Sequence, residues 1–273
     1  MKILIRGAGD IATGIALRLY RAGMQVVMTD LPAPTAIRRT VCFSQAIILG
    51  EMTVEDVTAR RAETPDQAEA LLAQGLIPVL ADPDCTCRTR LRPDALVDAI
   101  LAKRNLGTKI DDAPIVVGIG PGFTAGEDCH AVVETMRGHT LGRVIYRGSA
   151  LPNTNIPGLI GGYAGERVLR APADGIFCQK LEIGAVVRAG DIAGEVAGQP
   201  MRCTIDGVLR GILADGTPVF RGMKAGDVDP RCKPEYCIIS TPKQENNGYP
   251  SKTEPHPRVR LSLSKKPRRV CRP

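Results

Sequence analysis

The stretch LIRGAGDIATGIA, Leu4–Ala16, decides how the chain is read. Ile3–Arg6 has the apolar character of a short strand. Ile11, Ile15 and Leu19 recur at helical spacing through Ala22, and Gly23 stands where a glycine ends a helix. Gln25–Thr29 reads as a second strand, closed by Asp30. Between strand and helix, Gly7, Gly9 and Ala12 fit G-x-G-x-x-[GA]. In that pattern the first glycine makes the tight turn and the second lets a pyrophosphate approach the backbone. The small third residue lets helix and strand pack closely. Asp10 sits awkwardly there, because an acid beside a pyrophosphate is unfavourable unless it turns away or caps the helix. Asp30 stands where a carboxylate would bond both ribose hydroxyls of NAD, and Arg38 is near enough in sequence to balance a 2′-phosphate. Gly7, Gly9, Asp10, Ala12, Gly14, Asp30 and Arg38 are therefore the expected cofactor-binding residues, with NAD(P) or another nucleotide-bearing cofactor as ligand. A Rossmann-like fold with an empty cleft is the competing reading.

Working outward, Pro65–Gln74 is expected as a helix and Ile77–Ala81 as a strand; Val41–Leu49 is read as strand-like, and Ala95–Lys103 as strand or helix. Ile115–Ile119 is an apolar strand followed by GPGFTAGEDCHAVVETMRG. Gly120 and Gly122 form a second glycine-rich turn and join the cofactor-binding set. Thr124 and Glu127 have capping-box spacing, which predicts a helix over residues 126–136. On such a helix Glu127 and His130, and His130 and Glu134, share a face. Glu127, Asp128, His130 and Glu134 are accordingly the candidate catalytic residues, as acid–base pairs. Arg137 and His139 lie just beyond. No metal site is expected: Cys85 and Cys87 are too closely spaced for a zinc knuckle and have no partner pair. Arg88 and Arg90 beside them would favour a thiolate, and Cys129 adjoins His130.

Residues 167–229 change character, becoming rich in glycine and strand formers. PADGIFCQKLEIGAVVRAG, Pro172–Gly190, repeats as TIDGVLRGILADGTPVFRG, Thr204–Gly222, at a constant offset of 32 residues. The repeat resembles the barrel-sandwich module of biotinyl and lipoyl domains. The hairpin between the halves, Ala197–Cys203, lacks the carrier lysine of such domains, so the likeness implies the fold and not the swinging arm.

Of the net charge of +7, all resides in residues 243–273, which hold nine Lys/Arg and two acids. The first 242 residues balance at 27 of each sign, so the folded body is not a basic nucleic-acid-binding surface. From Pro242 on, the sequence is polar, proline-studded and without apolar periodicity, which predicts disorder. No apolar run approaches the roughly 18 residues of a membrane span. Nine cysteines without an export signal read as reduced thiols in the cytoplasm. The expected architecture is α/β: a Rossmann-like domain over residues 1–165, a β barrel-sandwich module over 166–241, and a disordered basic tail over 242–273.

Four segments carry a family resemblance: LIRGAGDIATGIALRLYRAGMQVVMTDLPAPTAIRRTVCFSQAI, VDAILAKRNLGT, VVGIGPGFTAGEDCHAVVETMRGHTLGRVIYRGSALPNTNIPG and GDVDPR. Over roughly residues 1–240 the chain resembles the YqeB-type accessory proteins of selenium-dependent molybdenum hydroxylase systems. The resemblance implies an accessory or maturation protein for a hydroxylase of the xanthine or purine dehydrogenase type. Its implied partners are that client enzyme and a nucleotide ligand, of which a molybdopterin dinucleotide is one form. Asp128, His130, Glu134, Arg137 and His139 lie in the most specific segment. An NAD(P)-dependent oxidoreductase with His130 as acid–base, and a non-catalytic scaffold docking to the hydroxylase, are the alternatives. After GDVDPR the chain departs from the family: the strand begun at CIIST runs into the basic tail, where a glycine-rich helix is expected.

Overall fold

A computed structural model describes residues 1–154 and 156–238. The tail expected over 242–273 lies outside the described residues. The opening unit forms as its periodicity requires: strand β1 (Lys2–Arg6), helix α1 (Asp10–Arg21) and strand β2 (Gln25–Asp30), with β1 and β2 parallel. Helix α1 buries Ala12, Thr13, Ala16 and Leu17 against the sheet, and Gly23 takes the positive φ of +81° that stops it.

Helix α2 (Gln45–Leu49), strands β3 (Glu51–Val54) and β4 (Val57–Ala62), helix α3 (Pro65–Ala73) and strand β5 (Ile77–Ala81) follow. Thr64 caps α3 by accepting the Gln67 N–H, with Pro65 inside the first turn. Next come helix α4 (Arg88–Leu91) and strands β6 (Ala95–Asp98), β7 (Ile115–Ile119), β8 (Thr124–Ala125), β9 (Ala131–Val133), β10 (Val144–Ile145) and β11 (Gly148–Ser149). Nine of these strands make one sheet in the order β10-β9-β7-β6-β1-β2-β5-β4-β3, parallel throughout except at the edge strands β10 and β3. Two apolar clusters cover its faces, one around Ile5, Met28 and Phe43, the other around Leu4, Leu80 and Leu96.

The last eight strands are β12 (Val168–Arg170), β13 (Gly175–Gln179), β14 (Val186–Val187), β15 (Ile192–Val196), β16 (Gln199–Arg202), β17 (Gly207–Ile212), β18 (Pro218–Val219) and β19 (Lys224–Asp229). They form two four-stranded antiparallel sheets, β12-β19-β17-β14 and β16-β15-β13-β18, over a core of Phe177, Leu209, Ile212 and Leu213. The two copies of the repeat exchange strands: β14 of the first pairs with β17 of the second, and β18 of the second with β13 of the first.

The fold class expected from the sequence, a Rossmann-like domain plus a separate barrel-sandwich module, is corrected by this architecture. The molecule is sheet-rich with few helices. After β6 the strands are joined by loops and turns, without crossover helices. The helix predicted over 126–136 is a turn followed by β9, because Gly126 takes φ +95° and Ala131–Val133 pair with β7. Val41–Leu49 is a 3-10 turn and α2, not a strand. The C-terminal sheets are also not self-contained. Ile37 packs into their core, Ile212 donates its N–H to Ile37 O, and Arg39 donates to Ile212 O at 2.9 Å. The 3-10 turn Pro234–Cys237 returns to the first sheet's loops, where Arg38 donates to Tyr236 O and Thr40 to Cys237 O.

Candidate functional site

The ends of β1 and β2, the glycine turn and the C-terminal sheets enclose a cleft of about 930 Å3. Gly7 forms the tight turn as expected. Its φ is +101°, its N–H donates to Thr29 O, and a Cβ there would meet the Ala99 carbonyl oxygen at 2.9 Å. Gly9 is different: its φ is −69° and nothing lies within 4 Å of where its Cβ would stand.

Part of the turn's donor set is already engaged. The Ala8 N–H donates to Asp30 Oδ2 at 2.8 Å, and Leu31 N–H to Asp30 Oδ1 at 2.7 Å. The Ile11 N–H donates to Asp10 Oδ1 at 2.9 Å, so Asp10 serves the N-terminus of α1. Arg38 Nη1 stands 3.6 Å from Asp10 Oδ2. Burial pushes Asp30 above the usual carboxylate range, against the two backbone N–H groups that favour its ionised form. Two N–H groups that a phosphate would take in such a turn are thus held by the protein's own carboxylates.

Arg6, at the end of β1, is a structural tie. Its guanidinium donates to Pro83 O, Leu106 O and Thr108 Oγ1, and lies 3.6 Å from Asp98, which Thr108 also contacts. On this turn side the charged lining residues are Arg6 and Arg38 against Asp10, Asp30 and Asp84.

The opposite wall has the reverse sign. It carries Arg137, Arg167, Arg210, Lys224 and Arg231 with one acid, Asp227. Asp227 is 1% exposed and is gripped by Arg167 and Arg210, the latter through Nε at 2.9 Å. Behind it Asp229 pairs with Arg231 at 2.7 Å and with Arg210 at 3.4 Å. Burial alone would push Asp229 up, but the Arg231 side chain and N–H, with Arg210, bring it below the usual range. Lys224 opens onto the cleft yet is flanked by protein on most sides. Desolvation lowers its pKa, Arg167 and Arg210 act in the same direction, and Asp227 and Asp10 oppose them. Arg137 is likewise lowered by desolvation and then by Arg167, Arg210 and Arg231. Burial first, and for Arg137 the neighbouring guanidiniums, disfavour the charged forms of these two cations, and an anion beside them would favour those forms.

Of the residues expected from the sequence, the structure brings Gly7, Gly9, Asp10, Ala12, Asp30, Arg38 and Arg137 to the cleft. Gly14 lies further along α1, and neither it nor Gly120 and Gly122 line the cleft. Those two glycines answer local crowding: a Cβ would meet Thr135 Oγ1 at 2.7 Å and Arg104 Cα at 2.6 Å. The expected catalytic group does not line the cleft either, and most of it is spent on loop backbone. Glu134 is buried and accepts the N–H groups of Met136 and Leu151. Asp128 accepts the Thr124 N–H and an amide hydrogen of Asn105. His130 Nδ1 accepts the Val116 N–H at 3.0 Å. Glu127 and His139 are exposed.

Cys85, Cys87 and Cys129 are buried in the second apolar cluster. A hydrogen bond from Cys87 holds Cys85 below the usual thiol range and pushes Cys87 up, while burial raises Cys129. Among the described residues no three His, Cys, Asp or Glu side chains cluster as metal ligands, and no helix is long and apolar enough to cross a membrane. Sequence reasoning missed Arg167, Arg210, Lys224, Asp227 and Arg231. A signal for one of them existed: Arg210 stands inside an otherwise apolar strand, where a charge requires a partner.

No family model matches the chain. A protein of Escherichia coli (strain K12) described as "Uncharacterized protein YqeB" is 52% identical over 229 residues, 84% of this chain. Over that stretch the chain is a homologue of YqeB. The chain spans 42% of that relative's length. Among solved structures, the apo form of the ectoine utilization protein EutE (DoeB) from Ruegeria pomeroyi is 14% identical over 83% of this chain and 85% of its own, with a TM-score of 0.27. An aspartoacylase family protein from Mesorhizobium loti is 13% identical over 54% of this chain and 60% of its own, with a TM-score of 0.24. Superpositions this loose carry no argument about the site.

Proposed function

We propose that the protein is an accessory protein of a selenium-dependent molybdenum hydroxylase system and holds a phosphate-bearing, nucleotide-type ligand in the cleft. The observation that carries the ligand is the charge of the cleft, in which seven Arg and Lys side chains face four Asp. Its volume is that of an ordinary small-molecule site. The hydroxylase link rests on the segments that resemble YqeB-type proteins; the 52% identity to YqeB supports the relationship to that protein alone. NAD(P) and a molybdopterin dinucleotide both have the required phosphate and ribose. Hydride transfer is the weaker use of such a ligand, because among the described residues no histidine lines the cleft to move the accompanying proton.

Mass spectrometry of small molecules released from the purified full chain tests the reading. A phosphate-bearing nucleotide is expected. A chain that carries none, and that gains no thermal stability from NAD, NADP or a molybdopterin dinucleotide, contradicts it. In a host with the hydroxylase, deleting the gene should abolish hydroxylase turnover while leaving the hydroxylase polypeptide at its normal abundance. Unchanged turnover removes the accessory role.

A further inference from the structure

The two walls of the cleft differ in sign, and that difference fixes how a ligand lies. We infer that the phosphates of the ligand bind the β-sheet wall at Arg137, Arg167 and Lys224, and that its hydroxyl-bearing sugar faces the glycine turn at Asp30. This rests on the proposed nucleotide-type ligand and names its class, a diphosphate ester whose sugar keeps free vicinal hydroxyls.

Two observations weigh against the opposite placement. A phosphate at the turn would meet the carboxylates of Asp30 and Asp10, which already accept the Ala8 and Ile11 N–H groups. It would do so in a partly buried site, where like-charge repulsion is weakly screened. The same carboxylates suit hydroxyl groups well. Each ionised carboxylate has about four acceptor positions, so Asp30 has positions beyond those taken by the Ala8 and Leu31 N–H groups.

The β-sheet wall suits phosphate for complementary reasons. Asp227 holds Arg167 and Arg210 in place from behind, and the Arg167 guanidinium is further fixed by bonds to Gly158 O. A guanidinium held this way meets a phosphate without losing much side-chain freedom. Lys224 adds an ammonium at the start of β19. Including Asp229 behind the wall, five cations stand against two carboxylates, a surplus that matches the two to three charges of a diphosphate. Beside the turn, Ile100, Leu101 and Leu106 give apolar lining for a flat base.

Calorimetric titration of the full chain with inorganic pyrophosphate, cytidine diphosphate and 2′,3′-dideoxycytidine diphosphate tests the arrangement. Pyrophosphate should bind, and Lys224→Gln should weaken all three probes about tenfold or more, the worth of a charge-assisted contact. Cytidine diphosphate should bind about tenfold tighter than its dideoxy form, and Asp30→Asn should abolish that preference while leaving pyrophosphate binding unchanged. Asp10→Asn is the second variant, should Asp30→Asn fail to fold, and it should narrow the same preference. Equal binding of the two cytidine diphosphates, or pyrophosphate binding untouched by Lys224→Gln, overturns the inference and leaves the proposed function standing. Binding of none of the three probes overturns both.

Discussion

The two walls of the cleft show two ways for a protein to use buried charge. On the turn wall, carboxylates complete the backbone: Asp30 and Asp10 accept the N–H groups that a tight turn and a helix start leave over. On the β-sheet wall, carboxylates hold cations: Asp227 and Asp229, each 1% exposed, pin three arginines that line the cleft. The first use takes two donors from a ligand, and the second gathers cations along the cleft. A glycine-rich turn is therefore not by itself a phosphate site. What matters is who already holds its N–H groups.

The largest test of this contrast is Asp227→Ala. It leaves Arg167 and Arg210 crowded beside Arg137 without their shared counter-charge. Breaking a buried ion pair from one side costs about 3–5 kcal/mol, to be read by urea denaturation. A loss under about 1 kcal/mol would mean that the β-sheet wall is not organised by its acids.

Next is a pair of substitutions in the turn. Gly7→Ala puts a Cβ on the Ala99 carbonyl at a φ few side chains adopt, at a cost of about 1–3 kcal/mol. Gly9→Ala enters open space and should stay within about 0.5 kcal/mol of the parent protein. Equal losses would show that the turn is held by something other than the Ala99 approach.

The walls should also part company with pH. Asp30 has a folded pKa above its unfolded value, so its contribution is fully present below the ordinary carboxylate pKa and fades as pH rises through the raised value. Asp229 has a lowered folded pKa, so its contribution is present above the ordinary range and fades as pH falls through the lowered value. Relative to the parent, Asp30→Asn should gain stability as pH rises from about 3 to 7, whereas Asp229→Asn should lose it over the same range. Parallel pH profiles for the two variants would erase the distinction.

The smallest effect is expected at Gly158. A Cβ there would come within 2.6 Å of the Arg137 guanidinium, the movable end of a long side chain. Gly158→Ala should change stability by under about 0.5 kcal/mol yet weaken pyrophosphate binding severalfold. A loss of stability with no loss of binding would place Arg137 outside the anion site.

How much of this was legible in the sequence depended on whether the deciding interaction was local. The β1–α1–β2 unit, α3 and strands β5 and β7 follow from apolar periodicity and caps, which act within a few residues. The fold class failed where the same signals were ambiguous. Thr124 and Glu127 have capping-box spacing, yet Val116, Gly118 and Ile119 offered a strand partner that no local rule detects. The cleft was half legible. Asp30 and Arg38 could be placed from their distance to the turn, but Arg167, Arg210, Lys224 and Arg231 arrive from segments more than a hundred residues away. Asp10 was recognisable as misplaced for a phosphate site, and its bond to Ile11 supplies the physical reason.

Amide hydrogen exchange with and without saturating inorganic pyrophosphate tests the central claim most directly, because it reports which wall the anion touches. The account predicts added protection in residues 158–170 and 222–232 and no change in residues 7–11. Protection confined to residues 7–11, with the β-sheet wall unchanged, would contradict it.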